Sequence, residues 1–194
     1  MRLRRDGGQG ATTVVDRPDA ELWARADDAA FGELYDRHAE AVWNYAYRLT
    51  ASWSDAEDLT SGTFLTAWRR RAEVTLVHRS ALPWLYTVAG NLARSEFRRT
   101  TRFQRLLRRV PLDDTVRDHA DHVVSTVDDD RELRRVLAVV RGLPKAEREA
   151  VELCLLGEVS TAEAAQVLGI AEASVRSRIS RARAHLRATL EEES

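Results

Sequence analysis

One cysteine, one methionine, one lysine and four prolines occur among 194 residues. With Cys154 as the sole thiol there is no intrachain disulfide and no zinc site built on cysteine pairs. Set in the apolar run VELCLL, it reads as a small buried hydrophobe. No segment approaches the ~20 uncharged apolar residues of a membrane span, and the N-terminal arginines and Gly-Gly-Gln-Gly stretch lack the apolar centre of a secretory leader. A cytoplasmic chain without membrane insertion is therefore expected. No run alternates apolar and polar residues as a half-buried strand does. A dominant charge is missing as well: 30 basic against 31 acidic residues give a net charge of -1, so any attraction for nucleic acid must come from local patches.

Such patches are present. Between Arg94 and Arg109 there are seven arginines (94, 98, 99, 102, 105, 108, 109) against Glu96, whereas Asp113 to Asp130 holds seven aspartates against Arg117. Opposed blocks of this kind indicate a division of labour along the chain. Nearly every periodic segment is helical, and helices are expected at Ala20–Ala26, Ala29–Thr50, Ser54–Ala72, Ala81 to about Leu107, Asp130–Arg141, Lys145–Leu156, Thr161–Leu168 and Glu172–Leu190. Pro111 and the aspartates after it break the pattern. The expectation is an all-α chain: a disordered extension over 1–18, a helical domain over 19–107, a flexible acidic linker over 108–128 and a second helical domain over 129–194.

The second domain holds the most specific local signal. Ser160 and Glu163 form a capping box, Gly169 sits where a chain leaving a helix needs a left-handed residue, and a second helix begins at Glu172. In that helix Val175, Ile179, Ala182 and Leu186 share one face. Ala173, Ser177, Ser180 and Arg181 fall on the other, flanked by Ser174, Arg176 and Arg178. This is the layout of a helix-turn-helix reader of duplex DNA, in which small side chains permit close approach to base edges and arginines pair with guanine or phosphate.

Projected on a wheel, the helix from Ala81 to Leu107 buries Leu82, Leu85, Tyr86, Ala89, Leu92, Ala93 and Phe97. It presents Trp84, Thr87, Asn91, Arg94, Ser95, Arg98 and Arg102 on the opposite face. A tryptophan in line with an amide and several guanidiniums suits a single strand, with stacking, base-edge contact and backbone pairing. The same tryptophan could instead pack on a neighbouring helix. Further upstream, Ser54 to Asp58 reads as a capping box with acids at the positive end of a helix dipole, and the acids could also meet a basic partner.

Four motifs in this order resemble a bacterial RNA polymerase sigma factor of the extracytoplasmic-function group, with regions two and four only. FGELYDRH (Phe31–His38), DAEDLTSGTFLTAWRR (Asp55–Arg70) and PWLYTVAGNLARSEFRR (Pro83–Arg99) are similar to successive parts of region two. LPKAEREAVELCLLGEVSTAEAAQVLGIAEASVRSRISRAR (Leu143–Arg183) is similar to region four. The resemblance implies that Asp55, Glu57, Asp58 and Leu59 dock on the clamp helices of the polymerase largest subunit, with a further contact to the flap. It implies that the stripe from Trp84 to Arg102 holds the melted minus-ten element, with a pocket for a flipped base in the loop Val74–Ser80. The helix from Glu172 reads the minus-thirty-five element, and the acidic linker threads toward the RNA exit side of the cleft. It allows an anti-sigma factor as a further partner and implies no cofactor and no catalysis.

Three positions depart from the family pattern. Ser61-Gly62 stands where Gln-Glu is usual, putting a helix-weakening glycine at the docking surface. Ser95 replaces a common aspartate. Ala171 replaces a capping serine, at a cost of about 1 kcal/mol of helix-end stability. Two other classes fit parts of the sequence. A stand-alone helix-turn-helix regulator explains the second domain and leaves the Trp84 stripe unexplained. A metal protein or enzyme has only Asp118, His119, Asp121 and His122 to build on, in a segment without a supporting shell.

Overall fold

The structure is a computed structural model, which describes residues 17–76, 79–107 and 127–192. Among the described residues there are helices and turns and no strand. The N-terminal domain comprises α1 (Asp19–Arg25), α2 (Asp28–Thr50), α3 (Trp53–Arg70) and α4 (Leu82–Leu107). The C-terminal domain comprises α5 (Val127–Gly142), α6 (Lys145–Val151), a π-helical turn (Glu152–Leu156), α7 (Thr161–Leu168) and α8 (Glu172–Glu192).

Local chemistry sets the boundaries. The Asp27 carboxylate accepts from the Ala30 amide at 2.8 Å and caps α2, whose far end closes at Ala51 in the left-handed region with φ 52°. Ser52 then caps α3 by accepting from the Asp55 amide. The sequence pattern places that cap at Ser54, two residues late, because Ser54 precedes the acids by the usual spacing. Glu57, the other half of the expected box, instead accepts from the Trp53 indole nitrogen at 3.0 Å.

Leu22, Trp23, Leu34, Val42, Tyr45, Leu49, Phe64 and Leu85 fill the space between α1, α2, α3 and α4. Each such side chain stabilises the fold by about 2 kcal/mol when fully removed from water. The Asp19 carboxylate is the polar knot of this domain. It accepts from the Ala81 amide at 2.7 Å and from Arg37 at 2.6 Å, and it meets His38 Nε2 at 2.6 Å. Burial alone raises its pKa, but the hydrogen bonds and charges of His38, Ala81 and Arg37 outweigh that and hold it at about 2.

Gly62 is half-buried, and a Cβ there would stand 3.3 Å from the Leu92 side chain of α4. The glycine that weakens α3 thus brings α3 and α4 close together. Phe97, expected in the buried stripe of α4, is 48% exposed, because the N-terminal core ends near Ala93.

In the C-terminal domain the capping box of Ser160 and Glu163 forms with both bonds present, and Gly169 closes α7 at φ 65°. Val175, Ile179 and Ala182 are buried and Leu186 is half-buried, as the wheel of α8 requires. The Thr161 hydroxyl donates to Glu172 at 2.7 Å and ties the start of α7 to the start of α8. The expected helix Lys145–Leu156 runs without a break but ends in a wider turn: the Gly157 amide donates five residues back, to the Glu152 carbonyl at 2.9 Å, which makes the last turn a π turn. The candidate metal cluster Asp118–His122 and most of the expected linker lie outside the described residues. Among the described residues there is no group of three or more metal-ligating side chains, and no helix is long and apolar enough to cross a membrane.

Candidate nucleic-acid interface

α8 presents Glu172, Ala173, Ser174, Arg176, Ser177, Ser180 and Arg181 to solvent, with Arg178 half-buried. This face is small in the middle, at Ala173, Ser177 and Ser180, and basic at the edges. Its arginines are not equivalent. Arg176 pairs with Glu172 at 2.6 Å, an exposed pair on one helix face. Arg181 donates to Glu147 at 3.3 Å, and Glu147 is buried beneath it with His185 Nδ1 at 2.7 Å as its second partner.

α4 carries the second surface. Asn91, Ser95, Arg98 and Arg102 are exposed along one side. Trp84, at the start of that line, is half-buried with its ring edge-on to Trp23 at 5.1 Å, and Trp23 in turn donates to the Val74 carbonyl at 2.9 Å. Trp84 therefore packs on α1 and keeps part of its surface open. Thr87 turns its hydroxyl back to the Pro83 carbonyl at 2.9 Å and is half-buried. Arg94 departs most from the expected stripe. Its side chain is only 10% exposed; it donates to Glu152 and to the Asn91 amide oxygen and lies 3.6 Å from Glu149.

Asp55, Glu57 and Asp58 are exposed at the start of α3, as a docking surface requires. Leu59 is not. At 7% exposure it belongs to a small core with Ala46 and Ala56, because its position on α3 turns it toward α2 and α4. Beside the acids stands a group the sequence pattern did not single out: Trp53, 65% exposed, edge-on to Trp43 at 4.5 Å, with Tyr47 stacked on Trp43 at 5.5 Å. Its signal in the sequence was the spacing of Trp43 and Tyr47, one turn apart on α2. An open groove of about 770 Å³ runs from Asp55 and Asp58 past Gly62 to Ser95, Arg98, Arg141 and Arg148.

The two acids that meet Arg94, Glu149 and Glu152, were missed. Glu152 stands alone among apolar neighbours in VELCLL, and a lone acid in such a run is the one sign that could have found it. It is 6% exposed. Burial pushes its carboxyl up to about 7, against the opposing pull of Arg94 and Arg148.

The chain matches the family description Sigma-70 region 2 over residues 34–103 and Sigma-70, region 4 over residues 133–186. It is 36% identical over 170 residues to the ECF RNA polymerase sigma factor SigL of Mycobacterium tuberculosis, covering 87% of this chain and 93% of SigL. It is 31% identical over 185 residues to the RNA polymerase sigma factor CnrH of Cupriavidus metallidurans, covering 93% and 96% of the two chains. The solved structure of CnrH in complex with the cytosolic domain of CnrY matches this fold with a TM-score of 0.60 at 29% identity, over 91% of this chain and 99% of that one. With both regions present in order and the likeness spanning nearly the whole chain, this protein belongs to the extracytoplasmic-function family of RNA polymerase sigma factors.

Proposed function

We propose the following division of work within the sigma factor. The N-terminal domain, 19–107, docks on the clamp helices of the polymerase largest subunit through Asp55, Glu57 and Asp58 at the start of α3, with Trp53 as an aromatic neighbour of that contact. The outer face of α4 holds the unpaired minus-ten strand. Trp84 offers a stacking surface, Asn91 and Ser95 offer base-edge contacts, and Arg94, Arg98 and Arg102 hold phosphates. The C-terminal domain, 129–194, sits at the flap and reads the minus-thirty-five duplex with α8. Leu59 supports the docking helix from within and touches no partner.

The observation that carries this reading is the presence of two separate exposed basic faces, on α4 and α8, one in each domain. A self-sufficient duplex reader accounts for α8 alone. CnrH forms a complex with the cytosolic domain of CnrY, and an anti-sigma protein as a partner of this chain is proposed on that likeness. The place of action is the cytoplasm, where polymerase and chromosome meet.

Each face makes a weak contact by itself. Core polymerase fixes their separation and turns two weak contacts into one bivalent contact. A gel-shift titration with promoter DNA tests this. Little specific binding by the chain alone and strong binding after core is added is the expected result, and tight sequence-specific binding without core contradicts it.

A further inference from the structure

Arg176 and Arg181 stand toward the two ends of the exposed face of α8, and the chain holds them differently. Arg176 pairs with Glu172 on its own helix, where both side chains are exposed. A pair of that kind contributes little and leaves the guanidinium free to swing. Arg181 is tied to another helix. Its Nε donates to Glu147 of α6 at 3.3 Å, and its Nη1 donates to the Ser177 hydroxyl oxygen, one turn back on α8, at 3.3 Å. Among the described residues Nη2 makes no hydrogen bond or ion pair, and it is left for an acceptor outside the chain.

The sequence of α6 makes Glu147 available for this. It is the third residue after Pro144, the N-cap of α6. An acid at that position ordinarily turns back to bond the N-cap amide, as Glu163 does with Ser160 in α7, but proline has no amide hydrogen to give. The carboxylate is thus left for α8. It is buried there, and burial would be costly without partners. Both partners come from one face of α8, a turn apart: Arg181 on one oxygen and His185 Nδ1 at 2.7 Å on the other. The side chains of both bases remain more than half exposed, so they cover the acid and keep their outer sides toward solvent.

We propose that Glu147 is a positioning residue for duplex reading: from beneath the exposed face it fixes the Arg181 guanidinium, with Ser177 as second support, so that Nη2 meets a hydrogen-bond acceptor of the minus-thirty-five duplex. The inference rests on the proposed reading of that duplex by α8. The gain is order, since a long side chain held before DNA arrives loses less freedom on binding than one that swings. Arg176, held only at the surface, supplies charge. Arg181, held from a second helix, supplies geometry.

The test uses the full chain with core polymerase and two templates made from one chain-dependent promoter, recovered by transcription of genomic fragments. One template keeps its minus-thirty-five element, and in the other that element is scrambled. The readout is the ratio of transcript from the two. A loss of folded protein lowers both transcripts together and leaves the ratio where it was. Glu147→Gln keeps the shape of the side chain and removes its charge; Glu147→Asp keeps the charge and draws the carboxylate back by one methylene. Circular dichroism checks folding, and either variant carries the test if the other does not fold. The expected result is a ratio about fivefold lower in each Glu147 variant, a smaller loss than the roughly tenfold expected of Arg181→Ala. In the Arg181→Ala background the Glu147 changes should lower the ratio no further, since the group they position is gone.

A ratio unchanged in the Glu147 variants overturns the proposal. So does a loss that adds in full to that of Arg181→Ala. Arg181→Ala alone then separates the causes: if it lowers the ratio, the reading of the duplex by α8 stands and only the positioning role of Glu147 fails, and if it leaves the ratio unchanged, the reading of α8 is at fault.

Discussion

Arg94 and Glu152 lie 58 residues apart in the chain and meet side chain to side chain between the domains, Arg94 Nη1 donating to Glu152 Oε2. Removing one member of a buried pair leaves the other without compensation. Arg94→Ala is therefore expected to destabilise the free chain by about 1 to 3 kcal/mol at pH 8. Burial raises the Glu152 carboxyl to about 7, so at pH 6 it is already largely protonated and the loss is smaller. Thermal melts at the two pH values check this, and equal losses at both would assign the effect to packing.

Asp19 gives the N-terminal domain an acid limit. Its folded pKa of about 2 lies below the ordinary 3.8. A depressed acid contributes stability that is present above its unfolded pKa and is lost as pH falls through the folded one. The contribution, about 2 kcal/mol, should therefore disappear between roughly pH 4 and pH 2. Asp19→Asn should lower stability at pH 7 and flatten the acid limb of the unfolding curve. A variant with the same acid midpoint and slope as the unaltered chain contradicts the assignment.

On α8 the two arginines separate reading from support. Arg176→Ala should weaken promoter-dependent transcription by about 1 to 3 kcal/mol with no change in thermal stability, since both Arg176 and Glu172 are exposed. Arg181→Ala should weaken transcription and also lower the melting temperature, because the buried Glu147 loses one of its two partners. Unchanged transcription in both variants removes α8 from the interface.

Trp84 and Asn91 divide in the same manner. Trp84→Ala removes the edge contact with Trp23 and is expected to cost about 2 kcal/mol of stability in addition to lowering open-complex formation. Asn91→Ala, at an exposed position whose side-chain oxygen accepts from Arg94 at 2.7 Å, should lower open-complex formation at a smaller cost in stability than Trp84→Ala. A template already mismatched at the minus-ten element should partly rescue Asn91→Ala, and an Asn91→Ala defect of equal size on both templates speaks against a contact to unpaired bases.

Docking and support are likewise distinct on α3. Asp58→Arg should weaken association with core polymerase, and the effect should shrink as salt screens the reversed charge. Leu59→Ala should instead lower stability by about 2 to 4 kcal/mol, as expected of a leucine in a small core. Normal core binding by Asp58→Arg returns the acids to a capping role.

Helix order, the capping box at Ser160, the left-handed Gly169 and the buried face of α8 were all legible in the sequence, because each depends on contacts within a few residues. The exposed parts of both candidate DNA faces were legible for the same reason: helical periodicity places them. The burial of Leu59 and Arg94 was not. A wheel reports which face a residue shares, not which neighbour covers that face, and Arg94 is covered by an element that begins 58 residues later. The start of α3 slipped by two residues because Ser52 and Ser54 offer the same capping chemistry. The π turn was invisible to periodicity, since one widened turn shifts the pattern no more than an ordinary helix end does.

Transcription from genomic DNA fragments by core polymerase, with and without this protein, tests the account most directly. The account predicts discrete transcripts that begin only when the chain is present and that fall sharply with Asn91→Ala and Arg176→Ala together. The absence of any chain-dependent transcript, from a chain that is folded and binds core, would contradict it.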